Sequence, residues 1–181
     1  MRMYVSKTKI MAVLSVMAAL STVLTVLGTV ISVNTVFFTS AAAFLVGIAV
    51  ISYGMVYGTI FFFVCMALDF FVNPNKLHVV LYAALAGYIL LSEGTYLLLA
   101  RMKDGKGKEW LHRGIRFVIF EALYLPFLIF LPKLFVSDTM LAKPWFMLVM
   151  IPGGVVVWFL YELAYFVVKR MFREKFARIL N

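Results

Sequence analysis

Charged residues are scarce in this chain, and acids are scarcer than bases. Only 14% of the 181 residues are charged, with 8 Asp and Glu against 17 Lys and Arg. The charges cluster between long apolar runs. A soluble domain of this size has too little interior for a composition that is 65% hydrophobic with a mean hydropathy of +1.02, whereas a bilayer requires one. Cysteine is nearly absent. The single Cys65 excludes an internal disulfide and leaves the redox compartment open. Inside an apolar run it reads as a small buried hydrophobe. There are only two histidines, and His78 has no second histidine, cysteine pair or acid cluster at ligand spacing, so no metal is expected. Catalytic signatures are missing too: there is no serine–histidine pair, GxSxG, HExxH or phosphate-cradling loop. Gly105 and Gly107 lack the strand–helix context such a loop needs. Neither enzymatic activity nor a cofactor is expected. Any active movement of solute must draw on a partner or an ion gradient.

What is present is a series of apolar runs of membrane-crossing length. About 20 residues of helix cross the hydrocarbon core. Six segments meet that need: residues 10–31, 36–52, 55–72, 77–100, 115–136 and 145–168. The runs are continuous rather than alternating, and helices satisfy their own backbone groups in lipid, so helices are predicted over strands. The fold class expected is an all-α integral membrane protein, one domain of six transmembrane helices. The first run follows Arg2, Lys7 and Lys9 as a signal peptide would. It is too long for that role and lacks a convincing small-x-small cleavage site, so it reads as a retained span. Asn34, the Ser52-Tyr53-Gly54 turn, Asn73-Pro74-Asn75-Lys76 and the glycine-rich 104–108 linker separate the runs. Pro74 bars Asn73 from helix. Pro152-Gly153-Gly154 is expected to kink the last span or open its backbone.

The basic residues orient the spans. Arg2, Lys7 and Lys9 precede the first. Arg101, Lys103, Lys106, Lys108, Arg113 and Arg116 lie at the fourth connection and its flank. Lys169, Arg170, Arg173, Lys175 and Arg178 follow the last, while the opposite side holds only Lys76, Lys133 and Lys143. The positive-inside rule then places both termini in the cytoplasm, and an even number of spans satisfies it. The net charge of +9 is therefore mostly topology, and no nucleic-acid partner is expected. The 169–181 tail sets Phe172, Phe176, Ile179 and Leu180 on one helical face opposite basic residues. That pattern suits either an amphipathic helix on an anionic leaflet or a frayed end.

Acids at membrane depth are functional candidates because burying charge in lipid is costly. Glu93, Glu121 and Glu162 lie toward the cytoplasmic ends of their spans, within reach of Arg101, Arg116, Lys169 and Arg170 for ion pairs. Asp69 lies toward the outer end of the third span, four residues from Asn73 and on the same helical face. With Asn34, Asn75, Lys76 and Tyr82 it makes a candidate small-molecule pocket. The alternative is a wetted loop surface with an aromatic belt. Small residues at four-residue spacing, Ser15 with Ala19 and Ala18 with Thr22 in the first span and Ala43 with Gly47 in the second, permit close helix packing.

The run from Lys7 to Ser21, the Gly54-Met-Val-Tyr-Gly58 start of a span that reaches Asp69, the Ala86-Gly87 pair and the Pro152-Gly153-Gly154 opening of a span with a basic tail resemble, in order and topology, the substrate-binding (S) components of energy-coupling factor transporters. The resemblance covers the whole chain, though each motif is a short small-residue pattern. It implies an S-component bundle in a bacterial or archaeal plasma membrane that takes up a water-soluble, vitamin-like nutrient from outside. It also implies a transmembrane coupling subunit and two ATPase subunits as partners, with the first-helix small residues Ser15, Ala18 and Ala19 as the docking face. The family's alanine pair at four-residue spacing is represented here by Ser15 and Ala19. A second resemblance is to the small multispan subunit of the bacterial rod-shape complex, which has basic ends and a glycine-bearing span ending in Asp before a Leu-His start, as in Asp69 to Leu77-His78. That resemblance implies a scaffold without a ligand. A transporter needs a cavity around Asp69, Asn73 and Lys76, whereas a scaffold packs that region shut. An intramembrane enzyme needs two facing groups at one depth, and the only acid near the depth of Asp69 is Asp138 in a loop.

Overall fold

The computed structural model describes residues 7–31, 35–100, 108–130 and 146–180. Asn34, Arg101, Lys133, Asp138, Lys143 and Trp145 lie outside them. The described residues form six helices: α1 Lys7–Val30, α2 Thr35–Tyr53, α3 Met55–Val72, α4 Lys76–Ala100, α5 Lys108–Phe130 and α6 Phe146–Leu180. No strand occurs among them. Helices α1 to α4 are long and apolar enough to cross a membrane, and the chain is a membrane-spanning protein on that ground.

The boundaries follow local chemistry. Gly54 separates α2 from α3 at φ 95°, a left-handed backbone that costs glycine little and a β-branched or bulky residue much. A single residue therefore joins two distinct helices. Helix α3 stops at Val72, and Asn73 is extended (φ −79°, ψ 123°), as the residue before Pro74 must be. The last helix departs from expectation. It runs without a break through Pro152 and on through the tail to Leu180. Gly154 is buried beneath the Tyr124 ring of α5, where an added Cβ would fall 2.5 Å from ring carbon Cε1. Close packing of α5 on α6 is thus the use made of this glycine. Phe172 is half-buried, and the side chains of Phe176, Ile179 and Leu180, the rest of the apolar face expected of the tail, lie outside the description.

The chain divides into two compact units, Met1–Gly94 and Thr95–Asn181. In the first, α2 carries the densest core. Ala42, Ala43, Val46 and Ala49 are fully buried, and these small side chains let neighbouring helices come close. Gly58 of α3 lies so near Val50 of α2 that a Cβ there would sit 2.2 Å from the valine Cγ2. The outward faces are apolar as well: Val16, Val30, Phe37, Val56 and Phe71 are all exposed. An apolar exterior matches a protein whose solvent is hydrocarbon. In the second unit, Phe117 meets Trp158 edge-on, Phe120 stacks on Tyr124, and Tyr161 and Tyr165 are buried.

Candidate functional site, a buried polar ladder between α1 and α3

Polar side chains recur every four residues on one face of α1 (Ser21, Thr25, Thr29) and of α3 (Cys65, Asp69), continuing to Asn73 at the end of α3. The two rows face each other in register. Thr25 Oγ1 lies 2.6 Å from Asp69 Oδ1, and Thr29 Oγ1 lies 2.8 Å from Asn73 Oδ1. Ser21 neighbours the Cys65 thiol. Each rung joins residues 44 apart in sequence, and a constant offset requires the two helices to run the same way. Helix α2 returns the chain between them.

Each threonine hydroxyl has one proton and two acceptors within reach. Thr25 Oγ1 is also 2.9 Å from Thr22 O, and Thr29 Oγ1 is 3.1 Å from Thr25 O. The shorter contact in each case crosses to α3. A carboxyl oxygen is the stronger acceptor, so Thr25 donates to Asp69. This bond lies in the interior: Thr25 is 1% exposed and Asp69 and Asn73 0%. The Asn73 carbonyl oxygen also accepts from the Asn75 backbone N–H at 3.3 Å, which fixes its amide orientation.

The ladder leaves hydrogen-bonding capacity unused. Asp69 Oδ2 and Asn73 Nδ2 are inaccessible to solvent and have no hydrogen-bond partner among the described residues, while the buried Ser21 and Tyr82 hydroxyls and the Cys65 thiol lie beside one another without a hydrogen bond of good geometry. Tyr82 enters from α4, is fully buried, and neighbours Cys65 and Asp69. Orphaned buried polar atoms are rare enough that each calls for a cause, such as a bound water, an ion or a ligand.

The predicted pocket residues therefore fall into two groups. Asp69, Asn73 and Tyr82 come together in the buried cluster. Asn75 and Lys76 are exposed and close helix ends. Asn75 Oδ1 accepts from the Leu77 N–H at 3.1 Å at the start of α4. Lys76 Nζ donates to the Phe70 carbonyl and, at 3.1 Å, to the Asn73 carbonyl, and it sits 4.7 Å from the Phe70 ring centroid. Its charge thus answers the carbonyl end of α3. Ser21, Thr25, Thr29 and Cys65 were missed as site residues, although their four-residue spacing was the available signal.

The small-residue face of α1 is also divided. Ser15 and Ala19 are exposed, whereas Ala18 is buried at 4% exposure. Ala18 packs inside the unit, so an external docking face reduces to Ser15 and Ala19. These two, with Thr22, Val23, Val26 and Leu27, form one wall of an open groove of about 510 Å³, and Leu68 and Val72 of α3 form the other. The Ser15 hydroxyl donates to the Met11 carbonyl at 2.9 Å, so it adds no unmet polarity to the groove.

Among the glutamates predicted to lie at membrane depth, Glu162 pairs with Arg116 at 2.7 Å. Glu93 is buried. Glu121 Oε1 has no partner among the described residues. Nor does any group of three His, Cys, Asp or Glu among the described residues have the placement to hold a metal.

No protein family, no curated protein and no solved structure matches this chain.

Proposed function

We propose that the chain is the substrate-binding subunit of a nutrient uptake system, with six spans and both termini in the cytosol of a bacterial or archaeal plasma membrane. A separate coupling subunit and its ATPases power it. The observation that carries this reading is the two-sided use of the α1–α3 pair. Its inner side holds a polar cluster with unmet hydrogen bonds at Asp69 and Asn73 and with Tyr82 beside them. Its outer side is an apolar groove edged by small residues. Leu68 precedes Asp69 and Val72 precedes Asn73, so anything that rearranges the ladder also moves the groove wall. Such an arrangement suits a protein that must report ligand occupancy to a partner. The nutrient's polar groups would meet the Asp69 carboxyl oxygen and the Asn73 amide, and Tyr82 would close the cluster from α4.

The test is mass spectrometry of small molecules retained by the detergent-solubilised protein. Retention of a vitamin-sized polar compound that Asp69→Ala releases supports the reading. Leucine at Ser15 or Ala19 should abolish uptake while leaving that retention intact. Equal retention in Asp69→Ala would remove Asp69 from the site.

One observation favours the second reading, a membrane scaffold. Asp69, Asn73 and Tyr82 are all fully buried, as a ligand-free packing element would be. The same measurement separates the two, since a scaffold retains no such compound.

A further inference from the structure

The unit Thr95–Asn181 contains a concavity of about 420 Å³, lined by charged and aromatic side chains, where the end of α4 and the start of α5 meet the C-terminal half of α6. Tyr96, His112, Arg116, Glu162, Phe166 and Lys169 line it, and Arg170 and Glu174 form its rim. Cationic side chains outnumber carboxylates here. Glu162 is engaged by Arg116 at 2.7 Å and Glu174 by Arg170 at 2.9 Å. The Lys169 ammonium is held over two aromatic faces, 5.2 Å from the Tyr96 centroid and 5.9 Å from that of Tyr165. An arginine that gives one N–H to a carboxylate keeps others, and Arg116 Nε is buried without a partner among the described residues. Beside this charged pocket the surface turns apolar at once. Leu163 and Phe166 share a helical face with Arg170 and are 51% and 61% exposed.

We infer that this concavity binds the phosphate of an anionic membrane lipid, with the acyl chains lying along Leu163 and Phe166. A net-positive, aromatic-walled pocket between helices, at the basic end of a membrane protein and continuous with exposed apolar side chains, matches a lipid of that kind at both its ends. A soluble phosphate compound would use the pocket and leave the apolar stripe unused. The inference depends on the placement of α4 to α6 in the membrane and is independent of nutrient uptake.

The experiment is native mass spectrometry of the full chain in detergent, with phosphatidylglycerol and phosphatidylethanolamine added in equal amount. Preferential retention of phosphatidylglycerol is expected, and millimolar glycerol 3-phosphate should not displace it. Lys169→Gln with Arg170→Gln should weaken retention about 25-fold, taking roughly fivefold for each basic group. Glu174→Gln, which removes a rim carboxylate and frees Arg170, should strengthen it. Equal retention of the two lipids overturns the proposal, as does full retention by the double variant. Displacement by glycerol 3-phosphate overturns the lipid assignment in favour of a soluble phosphate. If the double variant does not fold, Glu174→Gln decides, and unchanged retention counts against the site.

Discussion

Replacing Thr25 with valine removes one hydroxyl and keeps the side chain's shape. The hydroxyl lost is the donor to Asp69 Oδ1 at 2.6 Å, in a place where Thr25 is 1% and Asp69 0% exposed. Interhelical hydrogen bonds in membrane proteins average about 0.6 kcal/mol and reach about 1.7. Two features put this one at the upper end. The acceptor is a carboxyl group, and its second oxygen already lacks a partner among the described residues, so Thr25→Val leaves both oxygens without a side-chain donor. Stranding a buried polar atom costs about 1–3 kcal/mol. The expected loss is therefore about 2 kcal/mol. Thr25→Ser retains the donor and gives up a methyl group, about 0.8 kcal/mol. In a double-mutant cycle with Asp69→Asn the coupling energy should be about 1 kcal/mol. Unfolding of the purified protein in mixed micelles, followed by steric trapping or detergent titration, measures all four corners. A Thr25→Val variant within about 0.3 kcal/mol of the parent, with no coupling to position 69, would refute the ladder as a structural element.

Three further outcomes follow from the same geometry. Because Cys65 is the only cysteine, Ser21→Cys should form a disulfide with it under a membrane-permeant oxidant, seen as a gel shift; the outward-facing Val23→Cys should not, and equal crosslinking of both would break the 44-residue register. Gly58→Val should destabilise by about 3 kcal/mol or more, since its branched carbons must enter space held by Val50, while the same change at Gly87, which has open space around its Cβ position, should cost about 1 kcal/mol or less in the same unfolding assay. Glu162→Gln should lower stability by about 1–2 kcal/mol by leaving the half-buried Arg116 without its carboxylate, and Arg116→Gln with Glu162→Gln should recover part of that loss.

Much of the fold could be read from the sequence because hydrocarbon imposes one requirement everywhere. Helices α1 to α4 begin and end within three residues of the apolar runs, and the Asn73-Pro74 stop lies where the preference of the residue before proline puts it. The site was less legible. Threonine and serine in an apolar helix can bond to their own backbone, as Thr29 and Thr39 are placed to do. Nothing in composition separates such a residue from one that reaches across to another helix. Only the paired four-residue spacing of Ser21, Thr25 and Thr29 against Cys65, Asp69 and Asn73 does so, and recognising it requires knowing which helices are neighbours. Asn75 and Lys76 were read as ligand groups for the opposite reason. A polar loop between spans concentrates side chains that can bind something, and here the nearest things to bind are the unpaired ends of α3 and α4. Pro152-Gly153-Gly154 was read as a break in the last span because a helix-breaking composition says nothing about a neighbouring ring such as that of Tyr124.

The closed state of the Asp69 cluster bears on how a ligand could ever reach it. Thr25, Thr39, Asp69, Asn73 and Tyr82 are sealed from solvent, so access requires helices to part. The ladder makes α1 and α3 poor candidates for that motion, since separating them breaks the Thr25–Asp69 and Thr29–Asn73 bonds together. Helix α4 is held differently. Tyr82 reaches the cluster beside the Ser21 hydroxyl and the Cys65 thiol, outside the two threonine rungs, and the 73–75 connection has a proline that fixes its direction without adding a backbone donor. Withdrawing Tyr82, a neighbour of Asp69, would leave both threonine rungs in place, with Asp69 Oδ2 and Asn73 Nδ2 still unpaired among the described residues. A polar nutrient that satisfied both atoms would replace unmet hydrogen bonds with met ones, a source of affinity that a fully satisfied core could not offer. The orphaned atoms are therefore what the proposed binding reading rests on. A scaffold gains nothing from leaving them unpaired, whereas a binding subunit needs them unpaired until its ligand arrives.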